Sequence, residues 1–222
     1  MKTTLAICAA SLMLTLPATA ATIVQNGSFD TGVPGDVAGN HNGQHFGAMP
    51  ASGAWDIWSE INGWKTVSGD GIEVQTNGTI SEVDAQQGNY YLELDARGNS
   101  TMEQMVQLAK GSYILSFYYS PRSYAVHTNE IFYSVGDLFE NYVTGPGGRQ
   151  GTVVGQWTLF SMTFDVFETG SYALRFGALG TSDGYGGLID NVSIVSAVPV
   201  PAAGLLMAGA LGGLVAARRR RT

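Results

Sequence analysis

The stretch "SYILSFYYS", residues 112–120, decides the fold. Tyr113, Leu115, Phe117 and Tyr119 alternate with Ile114, Ser116 and Tyr118. A period of two is that of a β-strand, whose successive side chains leave opposite faces, so one face here is wholly apolar or aromatic and belongs in a core. Immediately upstream, "TMEQMVQL" (101–108) sets Met102, Gln104, Val106 and Leu108 on one side and Glu103, Met105 and Gln107 on the other. That imperfect alternation suits a strand packed partly on both faces.

Working outward, "NYYLELD" (89–95), "EIFYSV" (130–135), "WTLFSMTFDV" (157–166), "SYALRFGAL" (171–179) and "GLIDNVSIV" (187–195) read as further strands. "IEVQT" (72–76) and "ATIVQN" (21–26) raise the number to about nine. Gly, Asn, Asp and Ser clusters separate them, and no helical period is sustained. The expected fold is a single all-β antiparallel sandwich spanning residues 21–197. Two open stretches interrupt it, at 31–54 and 143–156, and long loops of this kind are commonly functional or disordered.

The ends of the chain have a different character. Lys2, an apolar run from Leu5 to Leu16, Pro17 and the triplet Ala18, Thr19, Ala20 form the layout of a secretory signal peptide over residues 1–20, with cleavage expected after Ala20. Cys8, the single cysteine, lies inside it, so the exported body is expected to carry no thiol and no disulfide. Residues 198–222 read "VPVPAAGLLMAGALGGLVAARRRRT". Pro199 and Pro201 end the last strand. Residues 202–217 are all apolar or Gly, an expected hydrophobic helix of roughly 24 Å, thin for a bilayer. The arginines after it should stay cytoplasmic and leave the body outside.

Charge follows the same division. Lys2 and four terminal arginines account for five of the eleven Lys and Arg; the six that remain face all 18 Asp and Glu, a formal body charge of −12. Such a surface excludes nucleic acid as a partner and suits divalent cations or neutral ligands.

Several residues could carry chemistry. Trp55 and Trp58 follow the long Gly-rich loop, and aromatic faces stack on sugar rings while nearby polar groups bond the hydroxyls. Both could equally be core residues, as Trp64 after Gly63 is expected to be. Arg122 and Tyr124, with His127, are candidates in the loop after the aromatic strand. Glu93 and Asp95 share one strand face, an arrangement poor for the opposed carboxylates of a glycosidase, so a polar network with Arg122 is expected. "NHNGQH" (40–45) has His41 and His45 four apart, but its Gly-broken sequence favours a solvated loop over a metal site. No G-x-S-x-G, H-E-x-x-H or phosphate-loop pattern occurs, and no enzyme is expected.

"NGSFDTG" (26–32), "GWKTVSGDGIEVQ" (63–75), "YYLELD", "EQMVQLAKGSYILSFYYSPR" and "YGGLIDNVSIV" together resemble the galactose-binding-like jelly rolls of extracellular carbohydrate-binding modules. They resemble in particular the uncharacterised secreted-domain family related to plant cell-wall proteins. The resemblance implies a structural calcium ion between the N-terminal and last strands, carried here by Asp30, where the family has Glu, and by Asp190. Oxygen ligation suits calcium; the alternative is that both aspartates only cap turns. The tail resembles the VPLPA variant of PEP-CTERM sorting signals of Gram-negative bacteria, with Val198, Pro199, Pro201 and Ala202 in the box, Val200 in place of Leu, and Arg218, Arg219, Arg220 and Arg221 closing it. That resemblance implies an exosortase as processing partner, transient anchoring in the inner membrane, and delivery to the cell envelope, surface or extracellular matrix. The expected function is non-enzymatic association with polysaccharide; a structural matrix or adhesion role without glycan binding and, last, a glycan-active hydrolase are the alternatives.

Overall fold

A computed structural model describes residues 21–32, 53–81, 83–123, 127–144 and 153–197. The expected signal peptide, the 33–52 loop with His41 and His45, Tyr124, and the whole 198–222 segment lie outside the described residues.

Twelve strands run through the described residues: β1 Trp55–Trp58, β2 Glu60–Ile61, β3 Trp64–Ser68, β4 Ile72–Thr76, β5 Tyr90–Glu93, β6 Thr101–Leu108, β7 Gly111–Pro121, β8 Ile131–Val135, β9 Phe139–Val143, β10 Thr158–Val166, β11 Gly170–Ala178 and β12 Gly187–Ser196. They form two six-stranded antiparallel sheets. The first has the order β1-β4-β5-β12-β7-β10, the second β2-β3-β6-β11-β8-β9. This is the expected all-β sandwich, with no helix among the described residues.

The alternation in "SYILSFYYS" holds: Tyr113, Leu115, Phe117 and Tyr119 are buried between the sheets. Phe117 of the first sheet meets Phe176 and Tyr133 of the second at ring-centroid distances of 5.0 and 4.8 Å, both edge-on, and stacks on Phe160 at 5.6 Å. Edge-to-face and offset contacts of this kind add to plain area burial. On β6, Met102, Val106 and Leu108, which the sequence puts on one side, point inward. Gln104, on the same side, is spent on the N-terminal segment: Gln25 N–H donates to its Oε1 at 2.7 Å, and its Nε2 donates to the Gln25 carbonyl at 2.8 Å.

The N-terminal segment differs from expectation. Residues 21–26 form no regular strand, because Asn26 and Phe29 adopt positive φ (51° and 58°) and turn the chain into the sandwich. Ile23 N–H still bonds the Ile194 carbonyl at 2.8 Å, and Phe29 lies fully buried 5.8 Å from the Trp64 ring. The segment thereby joins β12 of one sheet to β6 of the other. Four strands were not read from sequence: β1, β2, β3 and β9. β2 and β3 close through Asn62-Gly63, with Gly63 at φ +85°, the dipeptide that a two-residue hairpin favours.

Phe117→Ala should leave a cavity between the sheets and cost about 3–5 kcal/mol, read as a lower urea midpoint.

Candidate functional site

The described members of the sequence-predicted ligand set are split between the two faces of the first sheet, Trp58 on the inner face, Trp55 and Arg122 on the outer. Trp58 is 2 % exposed and sits in the main core, since its register partner Ile72 faces inward; as a ligand contact it is corrected to a core residue. Trp55, three positions earlier and on the opposite strand face, is 44 % exposed. Arg122 is committed within the protein. It donates to Glu93, bonds the Gly184 carbonyl at 3.0 Å and lies 4.4 Å over the Tyr185 ring. His127 is exposed beside Glu130, 2.9 Å away.

Behind Arg122 the outer face of the first sheet holds a buried acidic pair. Glu73 and Glu93 are cross-strand neighbours on β4 and β5, and Gln75 Nε2 donates to both, at 2.7 Å to Glu73. Burial raises both carboxyls, and their mutual repulsion adds to the rise at Glu73. Arg122 and the Gly186 N–H, 2.7 Å away, hold Glu93 back to about 7 while Glu73 goes to about 9, so Glu73 keeps the proton. The expected polar network with Arg122 is therefore present. Asp95 completes it from the neighbouring turn, accepting from the Asp183 and Gly184 N–H groups at 2.9 and 3.1 Å. Glu93 and Asp95 are both 0 % exposed and anchor the 183–186 loop, which leaves them no access to a glycosidic bond.

Asp30 and Asp190 do come together. Asp190 is fully buried and accepts from Gln87 N–H (2.9 Å) and Asn191 N–H (2.6 Å), while Asp30 accepts from Asn89 N–H (2.9 Å). Both thus cap turns. Burial foremost, and then the nearby Asp30 charge, push Asp190 up to about 7 against the pull of its N–H donors. Among the described residues no cationic side chain pairs with either aspartate, and no third acidic or His side chain joins them.

The open feature lies on the other sheet. Alternation sends Lys65, Glu103, Arg175, Ser134 and Glu140 outward, and the register lines them up in one row across β3, β6, β11, β8 and β9. Glu103 is the hinge of the row: Lys65 Nζ stands 3.3 Å from its Oε1, while Arg175 Nη2 and Nε reach its Oε2 at 2.7 and 2.8 Å. Burial alone would raise Glu103, but the bonds from Arg175 and Lys65 prevail and hold it below the ordinary carboxylate range. The next row runs Thr101, Gly177, Phe132, Tyr142. Gly177 is required there: a Cβ would lie 2.4 Å from Phe132 Cε1 and 2.6 Å from Thr101 Oγ1. Its bare backbone lets the Phe132 ring lie over the sheet. Tyr142, 49 % exposed, stands beside it and donates to Glu140.

These rows line a hollow of about 400 Å³ between Val67, Thr101, Phe132, Glu140 and Arg175. A second hollow of about 270 Å³, walled by Glu60, Lys65, Gln104 and Met105, lies across the ion row. Chemically, the hollow offers the Phe132 ring, a guanidinium, a carboxylate and hydroxyls, with the exposed Tyr142 ring beside Phe132 on the next strand. Sequence reading missed it, although Arg175 and Phe132 stand at the outward positions of "SYALRFGAL" and "EIFYSV".

No family model matches the chain, and no curated protein does. Among solved structures it is similar to TmCBM61 in complex with β-1,4-galactotriose, at 18 % identity and a TM-score of 0.47, with 79 % of this chain and 99 % of that one covered. It is similar also to a CBM35 from Paenibacillus barcinonensis (16 %, TM-score 0.39, 65 % and 100 % covered). The arabinose-bound α-L-arabinofuranosidase MgGH51 matches at 10 % and 0.48; the chain covers 79 % of itself but only 26 % of that enzyme's length. What those proteins bind is a property of theirs.

The folded chain holds the Glu73 proton up to about pH 9, whereas an exposed Glu releases it near 4.5. The folded state therefore binds more protons across that window, and stability falls as pH rises through it. In Glu73→Gln the fall should be much shallower, checked by urea midpoints at about pH 5, 7 and 9.

Proposed function

We propose that this chain is an extracellular, non-enzymatic β-sandwich that associates with polysaccharide through the groove on its second sheet. The observation that carries the reading is the outward row Lys65–Glu103–Arg175 beside the Phe132 and Tyr142 rings. Aromatic faces take the apolar face of a sugar ring, and charged, oriented groups bond its hydroxyls. The resemblance of the sequence to extracellular carbohydrate-binding modules points the same way. Trp55, on the outer face of the first sheet, is a lesser contact, and Tyr124 is a further candidate. Affinity per site is low, and display in many copies raises the total.

In the same reading, residues 1–20 are the signal peptide, 21–197 the functional domain and 198–222 the sorting signal, handled by an exosortase at the inner membrane. The domain then resides in the envelope, on the surface or in the extracellular matrix. Asp30 and Asp190 would hold a structural calcium ion, the mutually repelling carboxylates gaining the positive charge that no described side chain supplies. Further oxygens would come from backbone carbonyls and water.

Binding to the exopolysaccharide of the producing cells should weaken about tenfold in Tyr142→Ala and in Arg175→Ala, roughly 1.4 kcal/mol each, and less in Trp55→Ala, measured by affinity electrophoresis. Equal retardation of the three variants and the intact chain would move the contact off these residues, and an intact chain that is not retarded at all would transfer the protein to a matrix role without glycan contact. Calcium at a hundredfold excess over its Kd should add about 2.7 kcal/mol over chelator, seen as a higher melting temperature. Asp190→Asn should lose that increment; an increment surviving in the variant would place the ion elsewhere.

A further inference from the structure

The free edge of β10 meets a requirement for a partner that the rest of the fold does not. Among the described residues β10 pairs only with β7, through nine consecutive positions from Thr158 opposite Tyr119 to Val166 opposite Gly111, with no bulge. The other three sheet edges are short: four residues in β1, two in β2 and five in β9. Edge strands present a row of backbone donors and acceptors, and proteins blunt them by shortness, Lys, Pro or bulges. "TLFSMTFDV" (158–166) has none of these devices.

Its side chains name the occupant. About Met162 the strand is nearly palindromic: Ser161 mirrors Thr163, and Phe160 mirrors Phe164. A two-fold axis through Met162 would pair Phe160 with Phe164 of a second copy twice over, and Ser161 with Thr163 twice over. Like-for-like aromatic and hydroxyl pairs are the stabilising cross-strand pairs of antiparallel sheets, and such self-matching is what a two-fold interface requires. Leu159, 53 % exposed, adds apolar surface on the outer face. The strand itself is uncharged over residues 158–164, so the repulsion between two bodies of formal charge −12 acts from elsewhere and is screened by salt. The two copies of Asp165 would stand six residues apart along the strands, about 20 Å, roughly twice the screening length at physiological salt.

We propose that two copies of this chain associate antiparallel through β10, joining their first sheets into one continuous sheet. One strand pair is a small interface, so the association is reversible and is favoured where copies are dense. The polysaccharide groove lies on the outer face of the second sheet, whereas this edge belongs to the first, so a dimer would present two grooves at once and bind a long polymer by avidity.

The full chain in mild detergent, followed by sedimentation velocity over a concentration series, should pass from monomer to dimer. In Ser161→Asp/Thr163→Asp, carboxylates would face each other across the axis, and the dimer should be lost with an unchanged far-UV circular dichroism spectrum. Mixing that variant with Ser161→Lys/Thr163→Lys should restore a heterodimer that neither forms alone. A wild-type chain monomeric throughout, a dimer persisting in the acidic variant, or no heterodimer on mixing would each overturn the proposal.

Discussion

The two sheets are joined where Phe117 of β7 meets Phe176 of β11 and Tyr133 of β8. Everything else follows from keeping those rings inside. Once Phe176 and Leu174 face inward, strict alternation sends Arg175 outward; once Met102 does, Glu103 goes outward and meets it. The polar groove is thus the reverse side of the aromatic core. A one-residue slip of β11 would exchange the two and abolish both.

The outer faces of the two sheets have opposite fates. That of the first is roofed by residues 77–81, 83–89 and 183–186, which is why Tyr91, Leu188 and Val83 form a small second core there and why Glu73 and Glu93 are buried and Arg122 is only partly exposed. A buried ion pair gains little net stability, since desolvation offsets the attraction. Its value here is positional, because Glu93 and Asp95 fix the Gly184 and Gly186 backbone that closes the roof. Among the described residues the second sheet has no comparable cover over Arg175 and Tyr142, both of which are about half exposed.

Much of this was legible in the sequence, and the limits have physical causes. β7, with its clean period of two, was found with its inward face correct, and β6 was found as a strand despite its imperfect alternation. β1 to β3 escaped because "WDIWSEINGWKTVS" mixes charged and aromatic residues in short pieces with no sustained period. The buried pairing of Glu93 with Arg122 could be foreseen from strand spacing and the adjacent loop. Trp58 could not be separated from Trp55 by composition, since only the register of β1 against β4 assigns one to the core and the other to solvent. The groove depends on five strands brought side by side from positions 65 to 175, and such long-range register leaves no local signature.

The placement of β12 has a mechanical consequence. This last strand lies inside the first sheet, hydrogen-bonded to β5 on one side and β7 on the other, and the Ala197 N–H still reaches the Ser112 carbonyl at 2.8 Å. A pull exerted at residue 197 and resisted at the groove would act along β12, loading its bonds to both neighbours in parallel instead of opening them one after another. The Ile23–Ile194 bond adds the N-terminal segment to the same load-bearing unit. A body so connected would yield under tension by shear and not by unzipping.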